Sequence, residues 1–288
     1  MLRLNDGNAI PMLAYGLGTA LYKTSKDEKD EDVLHLTSLA IENGYYHLDG
    51  AELYNNEEEL GDAVRASKVA REELFVVTKL CGTEKRDVQS EFDNSLTRLG
   101  LDYVNLYLIH GPFMADTAEE LQEIWSKMEA IKRSGKAKSI GVSNFLQEHL
   151  EIILETAEIP PAINSIEYHP YLQRGNLVEF HWKNNIAVSA YSTLTALVEG
   201  SPGPVDGIYK RLAGKYGVTE GDVALRWCID QGIVAVTTSR SLQRLKGYME
   251  NISTFELKKE EIKQISDAGK RKHYRKFLGD RFDPDDRR

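Results

Sequence analysis

Between residues 13 and 237, short apolar runs alternate with longer stretches in which apolar positions recur every third or fourth residue. The short runs are 13–18, 45–48, 74–78, 103–109, 139–142, 163–167, 187–191 and 233–237. Several are continuously apolar, as in Leu106, Tyr107, Leu108 and Ile109, the mark of a strand covered on both faces. The longer stretches, 33–43, 57–67, 88–99, 118–134, 148–157, 177–184, 223–231 and 242–249, carry the helical period. Gly44, Gly100, Gly135 and Gly232 stand where four of these helices should stop. Ahead of them, Leu2 and Leu4 alternate with polar residues, residues 5–8 supply a turn and Ile10 resumes, which predicts a hairpin. A further helix, 258–268, precedes a polar tail.

Eight strand–helix pairs in unbroken succession predict a closed parallel (β/α)8 TIM barrel. It is expected to form one domain over 1–288, with an N-terminal β-hairpin and an additional C-terminal helix and tail. A doubly wound open sheet would want a glycine-rich dinucleotide turn after its first strand. Gly16-Leu17-Gly18 is only a fragment of one, and no helix start follows at the right distance. With 41% hydrophobic and 28% charged residues, the chain can bury a core without disulfides or a structural metal. Its net charge of −9 argues against nucleic acid as the main partner. The basic stretch 270–276 is followed by acidic residues and reads as a solvated tail. Cys81 and Cys228 lie far apart, with neither metal-ligand nor disulfide spacing, and each reads as a small buried apolar residue. Reduced thiols point to the cytoplasm. The first ten residues lack the apolar run of a signal peptide, and no stretch approaches a membrane span.

In such a barrel, chemistry is done at the C-terminal ends of the strands and in the loops behind them. The second strand ends at Asp49, with Tyr54 in the loop beyond it. The third ends at Lys79 and the fourth at His110. An ammonium paired with Asp49 stays charged and fixed. Beside Tyr54 it should favour the phenolate and lower a pKa that begins near ~10. A phenol so tuned can give a proton to a developing alkoxide, while His110 holds the carbonyl oxygen. None of the four is a strong nucleophile, so covalent catalysis is not suggested. Each taken alone reads equally well as an ion pair or as packing; their convergence on one rim favours chemistry.

Segment 44–61, running from Gly44 through Asp49 and Tyr54 to Gly61, resembles the aldo-keto reductase signature. Thr78-Lys79 and Leu108-Ile109-His110 are similar to the family segments that carry its Lys and His. Segments 141–145, 167–172 and 190–192 add further landmarks. The resemblance covers nearly the whole chain in order. It implies NADPH-dependent reduction of a small-molecule carbonyl to an alcohol, without a metal, with Asp49, Tyr54, Lys79 and His110 catalytic. It also implies that Ser143, Asn144 and Ser165 face the nicotinamide carboxamide and that Tyr191, followed by Ser192, stacks under the ring. An aromatic face at a strand end suits that task. Segment 236–244 takes the place of the family's phosphate-binding segment, with Thr238, Ser239, Arg240 and Arg244 as candidates at a helix start that favours an anion. Glu250 and Asn251 resemble the adenine-binding pair.

The chain departs from the common pattern at Ser165 (usually Gln), Thr238 (often Lys), Gly50 (usually Thr) and Thr193 (often Pro). The loop after His110 is short, which predicts an open pocket walled by Ala20, Leu21, Tyr22, Phe113 and Met114. The short lid, the segment 236–239 (Val236-Thr237-Thr238-Ser239) and the tail 274–282 most resemble fungal reductases of conjugated polyketones, ketopantoyl lactone and α-keto amides, so activated α-dicarbonyl compounds are the expected substrates. Three alternatives stand beside this: an NADH-linked or polyol-directed relative, an NADPH-binding sensor subunit with little turnover, and a barrel hydrolase using Asp49 and Glu167 as paired carboxylates. A monomer or weak dimer is expected by analogy with the fold.

Overall fold

The computed structural model describes residues 1–25, 28–81, 85–283 and 285–288. Strands β1 (Leu2–Arg3) and β2 (Ala9–Ile10) pair antiparallel as the predicted hairpin. The next eight strands close into a parallel barrel. They are β3 (Leu13–Gly16), β4 (His47–Asp49), β5 (Phe75–Leu80), β6 (Val104–Ile109), β7 (Ala137–Ser143), β8 (Ile163–Glu167), β9 (Ala187–Tyr191) and β10 (Val234–Thr237), and β10 pairs back onto β3.

Two sets of apolar side chains alternate along the strands, as a pleated sheet with two covered faces requires. Phe75, Val77, Leu106, Leu108, Ile163 and Val234 fill the interior, with Leu4 and Ile10 of the hairpin closing the floor. Val76, Tyr107, Ile109, Ile140 and Val142 face the surrounding helices. Continuing the inward set by two residues brings Lys79 after Val77 and His110 after Leu108. On β4, Asp49 follows the buried His47, whose ring meets Phe75 edge-on at the floor. Strand periodicity therefore delivers all three polar groups to the top of the barrel.

The helices are α1 (Glu31–Glu42), α2 (Glu57–Ala66), α3 (Val88–Leu99), α4 (Ala118–Arg133), α5 (Gln147–Leu154), α6 (Leu177–Lys183), α7 (Asp206–Tyr216), α8 (Glu220–Ile229), α9 (Leu242–Asn251) and α10 (Lys259–Gly269). Asp30, Asp87, Thr117, Thr219 and Ser241 accept backbone N–H bonds at helix starts. Gly100 ends α3 in the left-handed region at φ 60°. Helix α7 was not anticipated. Gly207 and Gly214 lower its propensity by ~1 kcal/mol each, and Pro202, Gly203 and Pro204 before it read as loop. Its buried Tyr209, Leu212 and Ala213 nevertheless keep helical spacing.

The segment after α10 is not a solvated tail. The Tyr274 N–H donates to the Tyr171 carbonyl, and the N–H groups of Lys276 and Phe277 donate to Glu167. No helix among the described residues is long and apolar enough to cross a membrane.

Candidate active site

Lys79 sits at the centre of the rim, 2% exposed. Its ammonium donates to Asp49 Oδ2 at 2.9 Å, to the Gly50 carbonyl at 2.7 Å and to the Tyr54 hydroxyl at 3.3 Å. Tyr54 ends a short helical turn, Glu52–Tyr54, with Asn55 beyond it at φ 56°. Gly18 backs the ring: a Cβ there would lie 2.5 Å from Tyr54 Cζ, so the phenol fits only against a glycine. The His110 ring stands edge-on to Tyr54 with centroids 5.6 Å apart. Its backbone is held at both ends, the N–H by the Leu80 carbonyl and the carbonyl by Asn144 Nδ2.

Burial pulls Lys79 toward deprotonation, but Asp49 and Tyr54 more than offset this and hold the ammonium above its ordinary value. Tyr54 does not follow expectation. Burial raises its pKa, Lys79 lowers it, Asp49 raises it again, and the net shift is upward. The phenol is therefore neutral at any ordinary pH, and Lys79 acts by offsetting burial. His110 is depressed to about 3 by burial and by the Lys79 charge, so the imidazole is neutral. Its buried Nδ1 has no partner among the described residues.

These groups open into a cavity of about 510 Å³, lined also by Tyr22, Leu53, Cys81, Phe113, Phe277 and Leu278. Cys81 is thus a wall residue rather than a buried one, whereas Cys228 is fully buried. Of the expected walls, Tyr22 and Phe113 are in place. Leu21 is not, being fully buried in the core around the barrel, and Met114 is 3% exposed in the same core. Ala20 is not a wall either; its carbonyl accepts from Arg240. Loop geometry decides these positions, and the sequence carried no signal for it.

Across the cavity stand Ser143, Asn144, Ser165, Tyr191 and Ser192. Ser143 Oγ donates to the Ser165 carbonyl at 2.9 Å. Asn144, at φ 63°, accepts from the Tyr191 hydroxyl at 2.6 Å. Thr237, Thr238, Ser239 and Arg244 continue the wall. A second groove shares Leu194, Val198, Arg244 and Tyr248 with the first cavity and adds Gln243, Lys246, Gly247 and Glu250. Two candidates fall outside both. Arg240 spends Nε and Nη2 on the Ala20 carbonyl, at 3.0 and 2.8 Å. Asn251 donates from Nδ2 to Asp222 at 2.9 Å. Sequence reasoning also missed Leu53 beside Tyr54, Tyr248 on α9, and Val198, Glu199 and residues 276–278, which a loop and the tail bring in from a distance.

Glu167 ends β8 but does not line the cavity. Both its oxygens are taken by tail N–H groups, so it forms no catalytic pair with Asp49.

The sequence profile of the Aldo/keto reductase family matches residues 14–270. The chain belongs to this family. It is 36% identical over 281 residues to the NAD/NADP-dependent indole-3-acetaldehyde reductase of Schizosaccharomyces pombe, covering 96% of this chain and 98% of that one. It is 35% identical to the NADPH-dependent alpha-keto amide reductase of Saccharomyces cerevisiae, over 92% and 89% of the two chains. The crystal structure of an aldo/keto reductase from Brucella melitensis superposes with a TM-score of 0.82 at 35% identity, over 93% of this chain and 98% of that one. The (β/α)8 architecture and the family resemblance seen in the sequence both stand.

Proposed function

We propose that this aldo-keto reductase reduces ketones and aldehydes to alcohols with NADPH, and that its preferred substrates are uncharged, activated α-dicarbonyl compounds. The contact that carries the reading is Lys79 lying between the Asp49 carboxylate and the Tyr54 hydroxyl. That arrangement makes Tyr54 a proton donor whose departing proton leaves a phenolate beside a fixed ammonium.

The residues present fit a nicotinamide dinucleotide. The hydroxyls of Thr237 and Thr238 are buried without a partner among the described residues, as donors awaiting an anion or amide would be. Arg244 lines both grooves, where a guanidinium suits a phosphate. NADPH, when bound, supplies a hydride to the carbonyl carbon. Tyr54 gives the proton to the carbonyl oxygen, and His110, neutral, orients that oxygen by donating to it. Lys79 holds the charge left on Tyr54 until water restores the proton, and Asp49 keeps Lys79 in place. Ser143, Asn144, Ser165, Tyr191 and Ser192 would hold the nicotinamide end.

The substrate class follows from what surrounds the donors. Leu53, Phe113, Phe277 and Leu278 are apolar. The cations near them are engaged, Lys79 by Asp49 and Lys276 by Glu199. The cavity's remaining cation, Arg244, lies at the end shared with the second groove, where it is assigned to the cofactor, so an anionic substrate has no charge beside these apolar walls to meet among the described residues. An uncharged carbonyl made electrophilic by a neighbouring one has what it needs. Similarity to an alpha-keto amide reductase supports the same choice.

The test is consumption of reduced nicotinamide with isatin, ketopantoyl lactone and an α-keto ester, each with NADPH and with NADH. Turnover on all three with strong preference for NADPH is expected. Tight NADPH binding with no turnover on any carbonyl would replace the enzyme by a cofactor-sensing protein.

A further inference from the structure

The C-terminal tail meets the pocket in two ways at once. Its backbone is pinned to the barrel by Glu167, itself 1% exposed. Glu167 Oε1 accepts the Lys276 N–H at 2.7 Å and Oε2 accepts the Phe277 N–H at 3.0 Å, while His169 Nε2 lies 3.1 Å from Oε1. Two successive N–H groups on one carboxylate fix the direction of the chain, and Phe277 and Leu278 then wall the cavity. The lysine side chains run the other way. Lys276 pairs with Glu199, and Lys272 donates to the carbonyls of Gly200 and Pro202. Both targets lie on the loop after β9. That loop gives Leu194 and Val198 to both grooves, and Glu199 to the first. Val198 is 62% exposed, so an apolar side chain on the loop is left largely uncovered.

A dinucleotide reaching from Tyr54 to Arg244 would pass against this loop. We propose that Lys276 and Glu199 form a clasp by which the tail holds the loop against the bound dinucleotide, so that cofactor retention and the substrate wall are set by one segment. Lys276 is a positioning residue: its backbone N–H fixes Phe277, and its ammonium fixes the loop. Glu167 is the post that both functions share. The inference rests on the NADPH reading.

The experiment is NADPH release by stopped-flow chase, with Kd from nicotinamide fluorescence, for the wild type, Lys276→Met, Glu199→Gln, the double variant and Lys276→Arg. Both partners are partly exposed, so each single variant should speed release by only about two- to fivefold. The double variant should be no faster than the singles, because each removes the same bond. Lys276→Arg should restore slow release. Added salt should speed release from the wild type more than from the variants, because only the wild type has the clasp to lose in addition to the phosphate contacts that all of them share. Unchanged release in both single variants, or additive effects in the double, would overturn the clasp. A wild type that does not bind NADPH would instead overturn the cofactor reading, so the two failures are separable.

Discussion

On the side of β4, β5 and β6, the reactive groups ride on strands or within a few residues of them, and they hold one another in place: Asp49 with Lys79, Lys79 with Tyr54, Tyr54 edge-on to His110. On the side of β10, α9 and the tail, the polar groups sit at a strand end, in the turn after it, on a helix and on the tail, and several have no partner among the described residues, such as the hydroxyls of Thr237 and Thr238. The first side has its proton donor fixed before any ligand arrives, as proton transfer along placed donors requires. The second side is built to be completed by one. Breaking the first should therefore destroy chemistry with binding intact, and breaking the second should weaken binding with chemistry intact.

The largest effect is expected at Tyr54. Tyr54→Phe removes the proton donor and little volume, so reduction should fall by ~10²–10⁴-fold, while the NADPH Kd stays within error. Single-turnover rates measured beside fluorescence titrations check both halves. A variant that still turned over at the wild-type rate would remove Tyr54 as the acid and leave the barrel needing another.

Arg244 sharpens the other side. It is the guanidinium that lines both grooves, and charge-assisted hydrogen bonds contribute ~1.5–3 kcal/mol. Arg244→Ala should raise the NADPH Kd by ~10–100-fold and the NADH Kd much less, with kcat at saturating cofactor nearly unchanged. Equal weakening of both dinucleotides would show that Arg244 does not read the additional phosphate.

The same contrast explains what the sequence could reveal. Asp49, Lys79 and His110 were legible because strand parity fixes where alternate side chains point, and a run such as Phe75 to Leu80 leaves no freedom. Tyr54 was legible by its nearness to Asp49. Arg240 could not be placed from the sequence because a residue in a turn can face either way, and the Ala20 carbonyl that it meets lies on another loop. Glu199 and Phe277 were missed because a loop and the tail carry them to the cavity from far along the chain, Tyr248 because the pattern of α9 does not mark which of its residues meets the pocket, and α7 because its glycines outweighed its apolar face. The direction of the Tyr54 shift was also misjudged: the ammonium was visible in the sequence, but the burial that outweighs it was not.

Proton occupancy gives a milder test. Reduction needs Tyr54 protonated, and its pKa lies above the ordinary ~10, so the rate should fall only as pH rises beyond that point. His110 is held at about 3 and stays neutral well below physiological pH. A pH profile of kcat/KM should therefore be flat from pH ~5 to ~9, with no limb near the ordinary histidine value of ~6.5. A limb there would mean that His110 titrates as an exposed imidazole does. Stability should respond differently. His47 and His181, each lowered to about 4 chiefly by burial, bind protons in the unfolded chain first, as His110 does. Their contribution is complete above ~6.5 and is lost as pH falls through the folded values, so the thermal midpoint should drop across that window while the rate holds.

The smallest effect is expected at Arg240, and it discriminates most finely between a phosphate ligand and a strut. Its guanidinium donates twice to the Ala20 carbonyl from an exposed position, and water can replace it there. The loop it touches also holds the catalytic turn: Lys23 N–H donates to the Tyr54 carbonyl, and Asn56 Nδ2 donates to the carbonyls of Leu17 and Leu21. With so many other ties, Arg240→Ala should lower the thermal midpoint by no more than ~4 °C and change the NADPH Kd less than ~threefold. Measured beside Arg244→Ala, it should show no preference between NADPH and NADH. A loss confined to NADPH would mean that the guanidinium leaves Ala20 for the phosphate when the dinucleotide binds, and would return Arg240 to the cofactor site.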